Sequence, residues 1–167
     1  VNDGEAATAD WVQGLVGNFA REPQSNDSGQ IKAVAAGECD ITIANTYYLA
    51  RLMRSDDPDD RAAAAAIGVI MPNQGDRGVH VNISGAGVLA HAPDRDNAVL
   101  FLEFLASDEA QAIFAEANNE WPVVPGIAHA DVLDGLYGDF REDPVNPATF
   151  GAERGAALSL MEANGWD

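Results

Sequence analysis

Gly37-Glu38-Cys39-Asp40-Ile41-Thr42-Ile43-Ala44-Asn45-Thr46-Tyr47-Tyr48 is a strand-like run that stops at two adjacent tyrosines. Ile41 and Ile43 alternate with smaller residues, the period-two signal of a short strand, and Asn45-Thr46 supply capping side chains for a helical run from Tyr47 to Arg54. Both phenols therefore fall where a strand passes into a helix. Open α/β sheets place ligands at such strand ends, and the free N–H groups of a helix start favour an anion there. Of the three tyrosines in the chain, Tyr47, Tyr48 and Tyr137, two stand side by side at this point.

The 167 residues are enough to bury a substantial core, in one domain or in one and part of another. With 27 acidic against 9 basic residues the formal charge is -18. Nucleic acid is excluded as a partner on these grounds, since phosphate binding needs a basic surface, and an anionic membrane is disfavoured likewise. Acidity of this size reads as a solvated surface suited to solubility rather than as an acidic binding face. No apolar run reaches the roughly 18 residues of a membrane span. Val1-Asn2-Asp3-Gly4 has neither a basic nor an apolar region, so any export signal has been removed or lies outside this chain.

Along the chain, Trp11, Val12, Leu15, Val16 and Phe19 form one apolar stripe of a helix predicted over Asp3 to Ala20 and ended by Pro23. Gln24 to Ser28 reads as a loop, and Asp27 with Gln30 fits a capping-box spacing for a short helix that Gly37 closes. Ser55 to Asp60 is an acidic turn, Ala62 to Ala66 a short helical run, and Ile67 to Met71 a strand ended by Pro72. Gln74 to Gly78 turns the chain into a strand over Val79 to Ser84. Asp94 or Asp96 caps an apolar helix to Ala106 through Val99, Phe101, Leu102 and Leu105; Ser107 caps another to about Ala117, with Ala110, Ile113 and Phe114 inward. Asn119 to Gly126 must be irregular, a short apolar piece spans Val132 to Leu136, prolines punctuate a loop near Pro144 and Pro147, and a last helix runs from Ala156 to Met161. Gly165 reads as its stop and Trp166-Asp167 as a natural end.

Three motifs invite chemistry and fall short of it. Cys39 is the sole cysteine, which excludes an internal disulfide; as a nucleophile it needs a His partner, and His80, His91 and His129 are distant in sequence, so a small strand-entrance residue is the better reading. The acidic run Ser55 to Asp60 lacks the alternating ligands, central glycine and distal Glu of a calcium loop. Gly85-Ala86-Gly87-Val88-Leu89-Ala90 matches G-x-G-x-x-A, but Pro93 would break a helix opening on those glycines. A glycine bend between extended segments, able to act as a hinge, fits better. No nucleophile-base-orienter set appears at useful spacing, so an enzyme using Glu38, Cys39 or Asp40 is not expected.

The tyrosines suit a hard, highly charged cation. A phenol is protonated at neutral pH, but a bound metal displaces the proton and creates an anionic oxygen donor. Neighbouring tyrosines would diverge on a regular strand, whereas an irregular helix entrance can converge them. Against this stands simple packing of two aromatic rings.

Taken together, Glu38 to Tyr48 (ECDITIANTYY), Met71-Pro72-Asn73-Gln74, Gly78 to Val88 (GVHVNISGAGV), Ala98 to Ala112 and Asn119 to Pro125 resemble the C-terminal half of bacterial ferric-iron-binding proteins. These are the periplasmic solute-binding components of iron(III) ABC importers, of the FbpA and FutA type. The resemblance runs through nearly the whole chain in order, and the double tyrosine is its most specific part.

That resemblance implies an α/β fold of the type II periplasmic-binding-protein class, here as a fragment with most of the C-terminal lobe and the returning part of the N-terminal lobe. Residues 1–77 would belong to the C-terminal lobe, 78–128 would be the hinge strand and N-terminal-lobe helices, and 129–167 would return to the C-terminal lobe. It implies ferric iron as cargo, Tyr47 and Tyr48 as metal ligands, and Asn45 and Thr46 beside a synergistic anion such as carbonate or phosphate, Asn45 being equally a plain N-cap. Asn26 or Asp27 lies near another anion-contacting segment, and Arg21 is a weaker candidate for charge compensation. The remaining ligands would precede Val1, so two phenolates alone are expected to bind iron weakly or not at all. An inner-membrane ABC permease would be the partner of the whole protein, the missing N-terminal half or a second copy that of the fragment. Rival readings are a solute-binding protein for an oxyanion or polyamine, and a non-enzymatic interaction module.

Overall fold

The computed structural model describes residues 1–24 and 26–166. Ser25, within the expected Gln24–Ser28 loop, and Asp167, at the expected chain end, lie outside the described residues. The chain forms two compact units, Val1–Ser25 with Asp143–Asp167, and Asn26–Glu142.

The first unit pairs helices from opposite ends of the chain. Helix α1, Glu5–Val16, follows Gly4 at φ 78° and is shorter than the predicted Asp3 to Ala20. It stops at Gly17, not at Pro23, because glycine disfavours continuation and the Asn18 side chain donates to the Gly14 carbonyl at 2.6 Å. Of the predicted stripe Val12 is buried, Leu15, Val16 and Phe19 are half-buried, and Trp11 is exposed. The final helix of the chain, Pro147–Ala163, begins well before the Ala156 start that periodicity suggested. Pro147 occupies its first turn, where a missing N–H costs nothing, and the Asn146 side chain accepts from the Ala148 N–H at 2.9 Å. Gln13 Nε2 donates to Asn164 Oδ1 at 2.6 Å, Asn2 donates to Asp143 at 2.8 Å, and Phe19 meets Trp166 edge-to-face at 5.5 Å.

In the second unit, α2 (Asp27–Ala35), α3 (Thr46–Met53) and α4 (Pro58–Ala65) pack together through Ile31, Leu49, Leu52 and Ala64. The cap of α2 is Asn26, whose side chain accepts from the Gly29 N–H, so the expected Asp27 capping box is displaced by one residue. The acidic run also proves to be a helix start: Asp57 caps α4, Pro58 enters its first turn, and Asp59 and Asp60 lie where the helix dipole favours negative charge. Lys32 pairs with Asp60, which raises the lysine pKa and lowers that of the carboxylate. Helices α5 (Arg95–Leu105) and α6 (Asp108–Asn118) carry the predicted caps Asp94 and Ser107. The expected inward face of α6 is corrected at Ile113, which is exposed, and the apolar α5 leaves Leu100, Phe101 and Phe104 exposed as well. Asn119 ends α6 at φ 57°, and Arg54 ties it to α3 by donating to the Glu116 carbonyl at 2.6 Å and Asn119 Oδ1 at 2.7 Å. Helix α7, Asp131–Tyr137, lies against α3, with Ala50, Leu133 and Tyr137 buried together; Pro147–Ala163 is thus α8.

The predicted strands are laid out without a ladder. Residues 39–45, 67–71 and 80–89 are not helical and join no β-ladder, and among the described residues the β-type contact is one isolated parallel bridge between Val79 and Glu142. A strand exists through hydrogen bonds to a neighbour, and the alternation that marks one is indifferent to whether the neighbour is at hand. Ile41, Ile43 and Ile70 are accordingly 78%, 70% and 83% exposed. No helix opens on Gly85 or Gly87, as the proline at 93 required. Among the described residues no helix is long and apolar enough to cross a membrane.

The predicted turn before Val79 is firmly held. The Gly78 N–H donates to the Asn73 carbonyl at 2.8 Å, the Val79 N–H to the Arg141 carbonyl at 2.9 Å, and the Arg141 N–H to Gln74 Oε1 at 2.7 Å. Gly78 has φ 97°, and a Cβ there would stand 2.6 Å from the Arg141 oxygen. Gly78→Ala should therefore cost about 2–4 kcal/mol of unfolding free energy in denaturant titrations. Gly75→Ala, which meets nothing within 4 Å, should change it by less than about 0.5 kcal/mol.

Candidate functional site

Both tyrosines lie in the first turn of α3, one residue deeper than predicted because the helix begins at Thr46. Their rings converge, with centroids 4.3 Å apart and planes tilted by 36°. The convergence arises inside a regular helical turn, through side chains long enough to lean together, rather than from irregular backbone at the entrance. The Arg51 guanidinium, one turn on, lies 5.9 Å from the Tyr47 ring centre and 5.3 Å from that of Tyr48.

Asn45 holds the N-cap position without capping the helix through its side chain. Asp27 accepts from the Asn45 backbone N–H at 2.8 Å and from its side-chain amide at 3.3 Å, while Asn82 donates to Asn45 Oδ1 at 3.3 Å. The structure thus brings together Asp27, Asn45, Thr46, Tyr47 and Tyr48, and adds Asn82 from the segment after the Gly78 turn. Asn26 is committed to capping α2, and Arg21 belongs to the other compact unit. Cys39 is a free, half-buried thiol. Among the described residues no three His, Cys, Asp or Glu side chains cluster as a metal site.

A hydrogen bond with Tyr48, reinforced by partial burial and by the negative charges of Asp27 and Glu120, pushes the Tyr47 pKa up to about 12. The raised pKa favours the neutral Tyr47 phenol, and a metal bound there would have to displace its proton to gain an anionic donor.

Sequence reasoning passed over Tyr137. Its hydroxyl donates to the Thr46 carbonyl at 2.6 Å, and its ring lies 5.5 Å from Trp121. Burial pushes its pKa up to about 12. No local pattern signals a contact between positions 91 apart; the one hint was a third tyrosine close to Trp121 and Phe140 in a chain with few aromatics.

The profile of the bacterial extracellular solute-binding proteins matches residues 1–137. The chain belongs to that family. Among solute-binding proteins it is 50% identical, over 98% of its own length and 47% of the relative's, to iron uptake protein A2 of Synechocystis. A FutA (IdiA) structure from Trichodesmium, in complex with iron and citrate, superimposes with a TM-score of 0.92 at 50% identity, over 99% of this chain and 52% of that one. A ferric-binding protein from Campylobacter jejuni does so with a TM-score of 0.95 at 32% identity, over 98% and 52%. The chain spans about half the length of the curated relatives it matches. These neighbours are type II periplasmic binding proteins, so the α/β fold class expected from sequence holds although its strands stand unpaired here.

Both raised phenols favour the folded state in their neutral form. Their stabilising contribution is whole below pH ~10, the ordinary phenol value, and is lost as pH rises through about 12. Thermal melts should therefore hold steady approaching pH 10 and fall steeply between about pH 10 and 12; Tyr137→Phe should flatten that fall.

Proposed function

We propose that this chain supplies one wall of a ferric-ion site in a periplasmic solute-binding protein, which closes on the ion between two lobes and delivers it to an inner-membrane ABC permease. The convergence of the two phenols at the start of α3 carries this reading. Two neighbouring oxygens that become phenolates on binding offer Fe(III) the hard anionic donors it prefers, and relatives named for iron uptake and ferric-ion binding support the choice of cargo. Asn45 and Thr46, with the first N–H groups of α3, are the groups for a synergistic anion, carbonate, phosphate or a carboxylate such as the citrate found with the Trichodesmium protein. In this scheme residues 1–77 and 129–167 belong to one lobe and 78–128 to the hinge and the other. The chain moves an ion and catalyses nothing. Two phenolates leave most of an octahedral ferric shell to water or buffer, so the 167-residue chain by itself binds iron weakly or not at all.

Titration of the full-length protein with ferric citrate tests this by the visible phenolate-to-iron absorption band. Tyr47→Phe and Tyr48→Phe should each lower ferric affinity by at least about 100-fold, more than outer-shell losses do, and the double variant should abolish the band. Unaltered ferric binding in the double variant would sink the iron reading in favour of another solute. Because two phenol protons leave, affinity should climb with pH by up to about two decades per unit near neutrality.

A further inference from the structure

Tyr137 is buried on the face of α7 that covers Ala50, alongside Leu133, with Trp121 and Phe140 packed around it. A phenylalanine would fill this space without a hydroxyl to desolvate, so the hydroxyl has to be explained by what it holds. It holds the Thr46 carbonyl, at 2.6 Å. That carbonyl is the first of α3, and it shares a rigid peptide plane with the Tyr47 N–H. In a helix the carbonyl points toward the C-terminal end and the N–H toward the N-terminal end, so anchoring the oxygen aims the whole plane. The Asn45 side chain is engaged with Asp27 and Asn82 and does not cap this turn, so the Tyr137 hydrogen bond is a tie on the first peptide of α3 that comes from a distant helix.

We propose that Tyr137 is a positioning residue for the paired tyrosines: by donating to the Thr46 carbonyl it fixes the first peptide of α3, and with it the direction in which Tyr47 and Tyr48 present their oxygens. This rests on the reading of Tyr47 and Tyr48 as ferric ligands. Tyr137 does not touch the ion. It acts from behind, through one hydrogen bond that joins α7 to the start of α3 within a single compact unit.

Tyr137→Phe in the full-length protein keeps the ring and removes the bond; Leu133→Val loosens the same apolar cluster and keeps the bond. The readouts are the position of the phenolate-to-iron band at saturation, ferric affinity by citrate competition, and the melting temperature without iron. Tyr137→Phe should shift the band and weaken binding about tenfold, while Leu133→Val lowers the melting temperature and leaves the band in place. An unmoved band in Tyr137→Phe, or affinity losses in both variants that merely track their loss of stability, would overturn the proposal. So would failure of Tyr137→Phe to fold where Leu133→Val folds, because the hydroxyl would then be a general determinant of the fold. A wild-type protein with no band at all would overturn the ligand reading itself, an outcome visible before any variant is made.

Discussion

Helix α3 is eight residues long, too short to persist in water on its own, and everything proposed for this protein hangs on its first turn. What keeps it in place is burial on two sides. Leu49 and Leu52 enter a cluster with Ile31 of α2 and Ala64 of α4, while Ala50, with no exposed surface, lies under Leu133 and Tyr137 of α7. Tyr47 and Tyr48 are half-buried at the start of the helix, and Tyr48 packs against the first of these clusters. The backbone beneath the tyrosines is therefore fixed by packing on both sides of the helix.

Electrostatics acts at the phenols. The hydrogen bond with Tyr48 comes first, and burial and the negative charges of Asp27 and Glu120 add to it in holding the Tyr47 phenol protonated, while Arg51 lies against both rings.

How much of this was written in local sequence depends on the range of the interaction involved. Asp94 and Ser107 cap helices as their spacing foretold, and the turn ending at Gly78 was legible from its residues, because caps and turns are decided within a few positions. Small shifts came from competing local signals: Asn26 took the cap from Asp27, and Pro147 opened a helix where prolines suggested a loop. The tyrosine pair was visible as a pair, and its meaning came from a resemblance more than from its chemistry. Pairing of the strand-like segments and the reach of Tyr137 to Thr46 were not legible, since each depends on a partner far away in the chain or outside it. Ile41, Ile43 and Ile70 record this plainly, having the alternation of a buried strand face and the exposure of a surface.

The union of α1 with α8 gives the molecule a topology that its linear order hides. One helix comes from each end of the chain, and Gln13 with Asn164 and Phe19 with Trp166 fasten them, so the backbone between is closed into a ring without a covalent bond. A cut in the exposed, unpaired stretch near Gly85 would sever the polypeptide yet leave both pieces attached through this clasp. Mechanically, the chain is a loop with a latch, and the latch lies in the unit that does not contain the tyrosines.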